Sequence, residues 1–330
     1  MSGEELERSF EDLLVDRGVV AAGSGPVTPL HFDAQQSRLR IAAGLVDPTH
    51  FTYRNPERAA IVAKAFPWSS GYVSIAVPYV TGTEREAEVA GYAYNRSYED
   101  LRLTLAASVA FLRESGLKAA SVYDSNQAFD KGLARRAGVG LVGRHTMVLV
   151  PRAGSRVVLG SIFTERLLHV SVGMRFRSDP CRNCRRCVDA CPTSAIRLPG
   201  TLVVERCIAS LLQQEVWSPL DRRLVGARVY GCDSCIDACP IGWPRREQSA
   251  PAPLAHWLAA SDQELLEEVG HWYIPRRDPY YVRRNVANAL GNRGSLTSDE
   301  RRALARLCVG DRKRDRIEGL RALLRVRWLR

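Results

Sequence analysis

The sequence predicts an α+β protein in three parts: a mixed helix-and-strand front, a cysteine-rich module and an all-helical basic tail. Three observations lead there. Eight of the nine cysteines fall between Cys181 and Cys239. Short apolar runs of strand character alternate with helical-period runs before them, and only helical periods follow. The length of 330 residues suits roughly two or three domains, with boundaries expected at 1–169, 170–243 and 255–330.

The chain opens on an acidic amphipathic helix from Glu4 to Leu14, with Leu6, Phe10, Leu13 and Leu14 on one face. Gly23-Ser-Gly-Pro26 reads as the break that ends it. Tyr72 to Tyr79 alternates and runs into Pro78, the pattern of a strand. Tyr98 to Ser115 carries Leu101, Leu105, Val109 and Leu112 at helical spacing, and Gly116 is its natural stop. Lys118 to Ser125 is a short strand that ends in Asp124, and Phe129 to Ala137 is a helix.

Gly138-Val-Gly140-Leu-Val-Gly143 formally matches the G-x-G-x-x-G dinucleotide fingerprint. That motif needs a strand in front of it, and here a helix precedes. The glycines therefore read as a tight turn before a strand at Thr146 to Val150. Arg156 to Phe163 is expected to pair with that strand as a hairpin across Pro151 to Ser155.

The cysteine module opens Cys181-Arg-Asn-Cys184-Arg-Arg-Cys187-Val-Asp-Ala-Cys191-Pro192, a C-x2-C-x2-C-x3-C-P run typical of bacterial iron-sulfur proteins. A shortened copy follows at Cys232, Cys235 and Cys239, and Cys207 can supply its missing member. Two intervening residues let the backbone turn around a cube, while the fourth cysteine starts a segment that leaves for the other cluster. One 4Fe-4S cluster is thus assigned to Cys181, Cys184, Cys187 and Cys239, the second to Cys207, Cys232, Cys235 and Cys191. Zinc favours isolated C-x2-C pairs, and disulfides need an oxidising compartment. The opening Met1-Ser-Gly-Glu-Glu-Leu-Glu has no signal-like basic and apolar run, so a cytoplasmic location is expected. No apolar run is long enough to span a membrane. Cys308, in a helical pattern, reads as an ordinary buried thiol.

Pro244 to Pro253 is polar and proline-rich, a linker. Helices are expected near Asp262 to Val269, Pro279 to Leu290, Ser298 to Cys308 and Arg312 to Leu329. Of the net charge of +11, nearly all lies from His271 onward, where 16 Lys and Arg face 6 Asp and Glu. Such a local surplus is the footprint of a polyanion binder or of a solvated helical face.

Taken in order, Asp124-Ser125, Asp130-Lys131, the block Ala137 to His145, Leu159-Gly160, the split double-cluster module and Tyr230-Gly-Cys-Asp-Ser-Cys235 resemble the epoxyqueuosine reductases. Arg277 to Asn292 resembles the HEAT-like helical end of that family. The resemblance covers about 70–330. It implies a cobalamin-binding-type front domain, a ferredoxin-like double-cluster module and removal of the epoxide oxygen of epoxyqueuosine in the tRNA anticodon loop. Electrons would come from a donor such as flavodoxin or ferredoxin and pass through the two clusters. Asp124 takes the place of the catalytic aspartate, a general acid for the epoxide oxygen; the commoner role of such a residue is to cap a turn. Gly140, Gly143, Arg144 and His145 become candidate cofactor contacts, the last two suited to phosphate or amide groups. Cobalamin rests on the resemblance alone, because no Asp-x-His-x-x-Gly motif occurs. Arg276, Arg277, Arg283 and Arg284 are the candidate phosphate contacts.

Several positions depart from the family pattern. Gln127 stands for its proline, Leu141 for its usual aromatic and Arg144 for its usual lysine, while Tyr94 to Asp100 is a weak echo of its Gly-Arg-Asp-Tyr-His segment. Tyr53 to Arg58 and the rest of the N-terminal third match poorly. Two further functions are therefore weighed: a corrinoid reductase of a small molecule with the same architecture, and a non-catalytic 4Fe-4S electron-transfer protein. The latter needs neither Asp124 nor a domain before the clusters.

Overall fold

The computed structural model describes residues 2–46, 54–79, 89–94, 97–197, 200–242 and 254–328. The expected linker, Pro244 to Pro253, lies outside them. Two compact units share the chain. One holds Met1–Val80, Asn95–Glu205 and Ser234–Pro244; the other holds Thr81–Tyr94, Arg206–Asp233 and Arg245–Arg330.

The strands of the first unit are β1 (Ala21–Pro26), β2 (Gly71–Pro78), β3 (Ala119–Val122), β4 (Leu141–Val142), β5 (Val148–Leu149), β6 (Val157–Thr164), β7 (Ser171–Val172), β8 (Ile196–Arg197) and β9 (Thr201–Leu202). Five make one sheet in the order β3-β6-β2-β1-β7, and every pairing in it is antiparallel. β2 lies at the centre and is buried along almost its whole length. Its side chains face apolar neighbours on both sides, so the alternation expected of a half-exposed strand gives way to continuous burial.

Gly23-Ser-Gly-Pro26 is not a break but most of β1. The glycine is there for close approach: a Cβ on Gly23 would lie 2.1 Å from the Ala137 carbonyl oxygen. The first helix, Gly3–Asp16, starts on a Ser2–Glu5 capping box and buries Leu6, Phe10 and Leu14, with Leu13 only half-buried. Phe10 stacks on Phe111 at 5.8 Å, joining it to the helix Ser97–Glu114, whose Leu101, Leu105 and Leu112 are buried. The strand before Asp124 and the helix after it are present as β3 and Asp130–Arg136.

The expected hairpin between Thr146–Val150 and Arg156–Phe163 does not form. β5 pairs with β4, and only a Val150–Gly154 bridge spans the turn. β6 pairs instead with β2 over eight residues and with β3 over four. Two apolar neighbours bury both edges of β6, more than a two-residue strand could offer.

In the second unit, a core of Trp257, Trp272, Tyr230, Leu265, Val286, Leu290 and Leu304 surrounds the helix Tyr280–Asn292. Tyr230 stacks on Trp272 at 4.5 Å, and Trp257 meets Trp272 edge-on. The expected helices are present as Asp262–Glu268, Tyr280–Asn292, Ser298–Val309 and Lys313–Trp328. Leu254–Ala259 and Pro219–Val225 are additional. Asn285, Asn288 and Asn292, at helical spacing, donate to backbone carbonyls: Asn285 to Leu212 and Val229, the other two to Arg222 and Gly226. This satisfies carbonyls that the end of Pro219–Val225 leaves open.

Candidate active site and cluster module

β3 is held by β6, with Val122 opposite Ser161, and two residues later the chain reaches Asp124 in a left-handed conformation, φ 43°. Asp is one of the few residues that tolerates this geometry, which here turns the exposed Asp124 out of the sheet. Its backbone N–H donates to the carboxylate of Asp130, at the start of the helix Asp130–Arg136. Asp130 Oδ1 is closed off from solvent and has no partner among the described residues. Burial foremost, then the charge of Asp124, pushes the Asp130 carboxyl up to about 8 despite the Asp124 N–H and Lys131. A carboxylic acid protonated near neutrality thus lies beneath the Asp124 turn. Sequence reasoning gave Asp130 no role; its signal is an acidic residue at a helix start six positions after Asp124.

The glycine block builds the β4–β5 hairpin. A Cβ on Gly140 would lie 2.2 Å from the Leu149 carbonyl oxygen, and the Gly143 N–H donates to the Met147 carbonyl at 2.9 Å. His145 is buried. Its Nδ1 accepts the Met147 N–H at 3.2 Å, which puts the proton on Nε2, 3.4 Å from Ser155 Oγ. Burial, with Lys131 adding to it, lowers the His145 pKa to about 4, so the ring is neutral. Arg144 donates from Nε to the Cys181 carbonyl at 2.9 Å and from Nη2 to the Arg182 carbonyl at 2.8 Å. Of the two side chains expected at cofactor phosphate or amide groups, His145 is committed inside the protein, while half-buried Arg144 spends Nε and Nη2 on backbone carbonyls. Leu141 and Val142, 37% and 45% exposed, leave an apolar strip on β4.

None of the nine cysteines, all within the described residues, is disulfide-bonded. Cys181, Cys184, Cys187 and Cys239 come together: burial foremost, then the charges of Cys181, Cys184 and Cys239, raises the Cys187 thiol. Burial likewise raises the Cys239 thiol, with Cys181 and Cys184 adding to the rise and Arg156 opposing it. Four thiols that repel one another as thiolates are what an iron cluster relieves. For Cys191, burial acts upward but is outweighed by hydrogen bonds from Thr193, Ile196 and Ala195, so its thiol is lowered. The Ala195 N–H reaches its Sγ at 3.2 Å.

The tail arginines divide. Arg276 and Arg277 are exposed and lie in successive left-handed conformations. Arg277 donates to the Gly270 and Leu266 carbonyls, and Arg276 stands 4.0 Å from Glu215. Arg283 is buried, pairing with Asp262 and donating to the Ala260 carbonyl. Arg284 is 1% exposed, lies over Trp217 at 3.9 Å and donates to the Leu212 and Gln214 carbonyls. Neither can meet a phosphate, because their donors are spent on the interior. The sequence pattern concealed this: a basic pair on an amphipathic helix reads as surface, yet its partners are carbonyls far away in sequence.

Comparison with known proteins agrees with this chemistry. The model of the 4Fe-4S double cluster binding domain matches residues 180–242. The epoxyqueuosine reductase of Bacillus subtilis (strain 168) is 28% identical over 312 residues, 88% of this chain and 78% of the relative. That of Pseudomonas aeruginosa is 32% identical over 315 residues, 87% of this chain and 85% of the relative. Among solved structures, a selenomethionine-labelled epoxyqueuosine reductase superposes with a TM-score of 0.83 at 26% identity, covering 98% of this chain and 91% of that one. Another, with an epoxyqueuosine-modified tRNA-Tyr stem loop, gives a TM-score of 0.82 at 25% identity and the same coverage.

Proposed function

The chain belongs to the epoxyqueuosine reductase family, and from that premise we propose that it converts epoxyqueuosine to queuosine in tRNA. The observation that carries this is structural continuity: β6 pairs with the strand that presents Asp124, and Arg156, just before β6, is ion-paired beside Cys239. Asp124 and the segment around Cys239 are thereby attached to one sheet. The relative crystallised with a modified tRNA stem loop supports a nucleic-acid substrate.

Removing an epoxide oxygen as water takes two electrons and two protons. Cobalamin, when bound, would supply the two-electron chemistry at carbon. Leu141 and Val142 would pack against it. Asp124 would protonate the oxygen released as the ring opens, and Asp130, holding a proton beneath the same turn, would resupply it. Cys181, Cys184, Cys187 and Cys239 would bind one cluster, and Cys191, Cys207, Cys232 and Cys235 the other. Arg276 and Arg277 would contact phosphates through a helical, HEAT-like tail spanning 255–330, while 1–169 holds cofactor and acid and 170–243 delivers electrons. A reducing donor such as flavodoxin or ferredoxin and a cytoplasmic location complete the reading. No helix among the described residues is long and apolar enough to cross a membrane.

The test is anaerobic reconstitution with iron, sulfide and cobalamin, followed by incubation with an epoxyqueuosine-containing stem loop and a reductant. Queuosine measured by nucleoside mass spectrometry is the expected product, abolished in Asp124→Asn. Corrin retention without turnover on the stem loop would redirect the search to a small-molecule substrate.

A further inference from the structure

The lead-in to β6 grips both sides of Cys239. On one side Arg156 Nη2 donates to Asp237 Oδ1 at 3.0 Å, with the two side chains 10% and 25% exposed. On the other, Gly154 lies so close to the chain that a Cβ there would be 2.2 Å from the Ile241 carbonyl oxygen and 2.8 Å from Gly242 Cα. The segment from Asp237 to Gly242, with Cys239 at its centre, is thus clamped to the edge of a buried sheet. Arg156 also has a donor cut off from solvent: its Nε is buried and has no partner among the described residues. A buried guanidinium nitrogen without an acceptor is costly, which points to an acceptor supplied when the cluster is bound.

We propose that Arg156 is a positioning and tuning residue for the cluster ligated through Cys239. Its Nε–H donates to the Cys239 sulfur or to a cluster sulfide, and its charge favours the reduced cluster. The proposal rests on the assignment of Cys239 to that cluster. Hydrogen bonds to cluster sulfurs and local positive charge are the two protein levers that raise a cluster's potential. Asp237 works against the second, because it neutralises part of the charge. Arg156 lies outside the cysteine motifs, so ligand spacing does not reveal it; it marks one cluster and not the other.

The reconstituted full-length protein tests this by iron analysis and EPR-monitored potentiometric titration of wild type, Arg156→Gln and Asp237→Asn. Arg156→Gln should keep the wild-type iron content and lower one midpoint, leaving the other in place. A tenfold fall in the reduced-to-oxidised ratio at fixed potential corresponds to about 59 mV for a one-electron couple. Asp237→Asn, which keeps the arginine, should shift the same midpoint upward. Wild-type midpoints in a fully loaded Arg156→Gln protein overturn the proposal. If that variant fails to load, Asp237→Asn decides: a raised midpoint supports it, and an unchanged or lowered one overturns it. Cys239→Ala separates the underlying assignment, since full iron there would remove the ligand reading and leave nothing for Arg156 to tune.

Discussion

Two buried titratable side chains, His145 and Asp130, bias the stability of the first unit in opposite directions with pH. For His145 the folded pKa is lowered from 6.5 to about 4, so the unfolded chain takes up the proton first. Its contribution is present above pH 6.5 and is lost as pH falls towards 4, by up to about 3 kcal/mol at roughly 1.4 kcal/mol per unit. Chemical denaturation between pH 4 and 7 should show this slope, and His145→Gln should flatten it. Asp130 behaves oppositely, since its folded pKa is raised from 3.8 to about 8. Its contribution is complete below pH 3.8 and is lost as pH rises through 8. Asp130→Asn should therefore stabilise the protein at pH 9 by on the order of 2 kcal/mol. If Asp130 resupplies Asp124, turnover in that variant should fall roughly tenfold or more with little change in KM, the range for a positioned proton donor. The resemblance named both Asp124 and Asp130 but gave a role only to the first, because desolvation by a fold is invisible in a string of letters.

The β4–β5 hairpin and the helix Tyr280–Asn292 show what element-level reading catches and misses. The glycines of the first follow a helix, as read from the sequence, but the pairing partner of the following strand was misassigned. Strand partners are chosen by long-range burial, and Arg156–Phe163 found two apolar neighbours that local turn chemistry could not announce. Gly140→Ala should drive a methyl into the Leu149 carbonyl and destabilise the protein by about 2 kcal/mol or more, read as a lowered denaturation midpoint. On the helix, Arg284→Ala should cost about 3–5 kcal/mol, because it strips partners from three aromatic rings and three carbonyls. Arg276→Ala, at 81% side-chain exposure, should leave stability unchanged but weaken tRNA binding and flatten its salt slope by about one unit. Helix limits were legible to within a few residues, helped by the capping boxes Ser261–Glu264 and Thr297–Glu300.

Across the whole molecule, the stretch Cys181 to Cys239 has only a small apolar core, Ile208, Leu211, Leu212, Trp217 and Val225, with Cys232 packed against it, so its order should depend on bound clusters. Chelation of iron should loosen Cys181 to Cys239 first, seen as early loss of hydrogen-exchange protection there while β2 and β6 remain protected. The cysteine spacing alone disclosed this module, because a cluster imposes its geometry on sequence more strictly than a hydrophobic core does. What spacing could not disclose is how the chain is shared out: the first unit ends with Ser234–Pro244, after Arg206–Asp233 has gone to the second. During synthesis the ribosome therefore emits Cys181, Cys184 and Cys187 well before their companion Cys239. The first unit can close only when about three-quarters of the chain has been made. If these four cysteines hold one cluster, a chain stalled before Cys239 would expose three of its thiols without the fourth, and the site could be completed only after Cys239 has emerged.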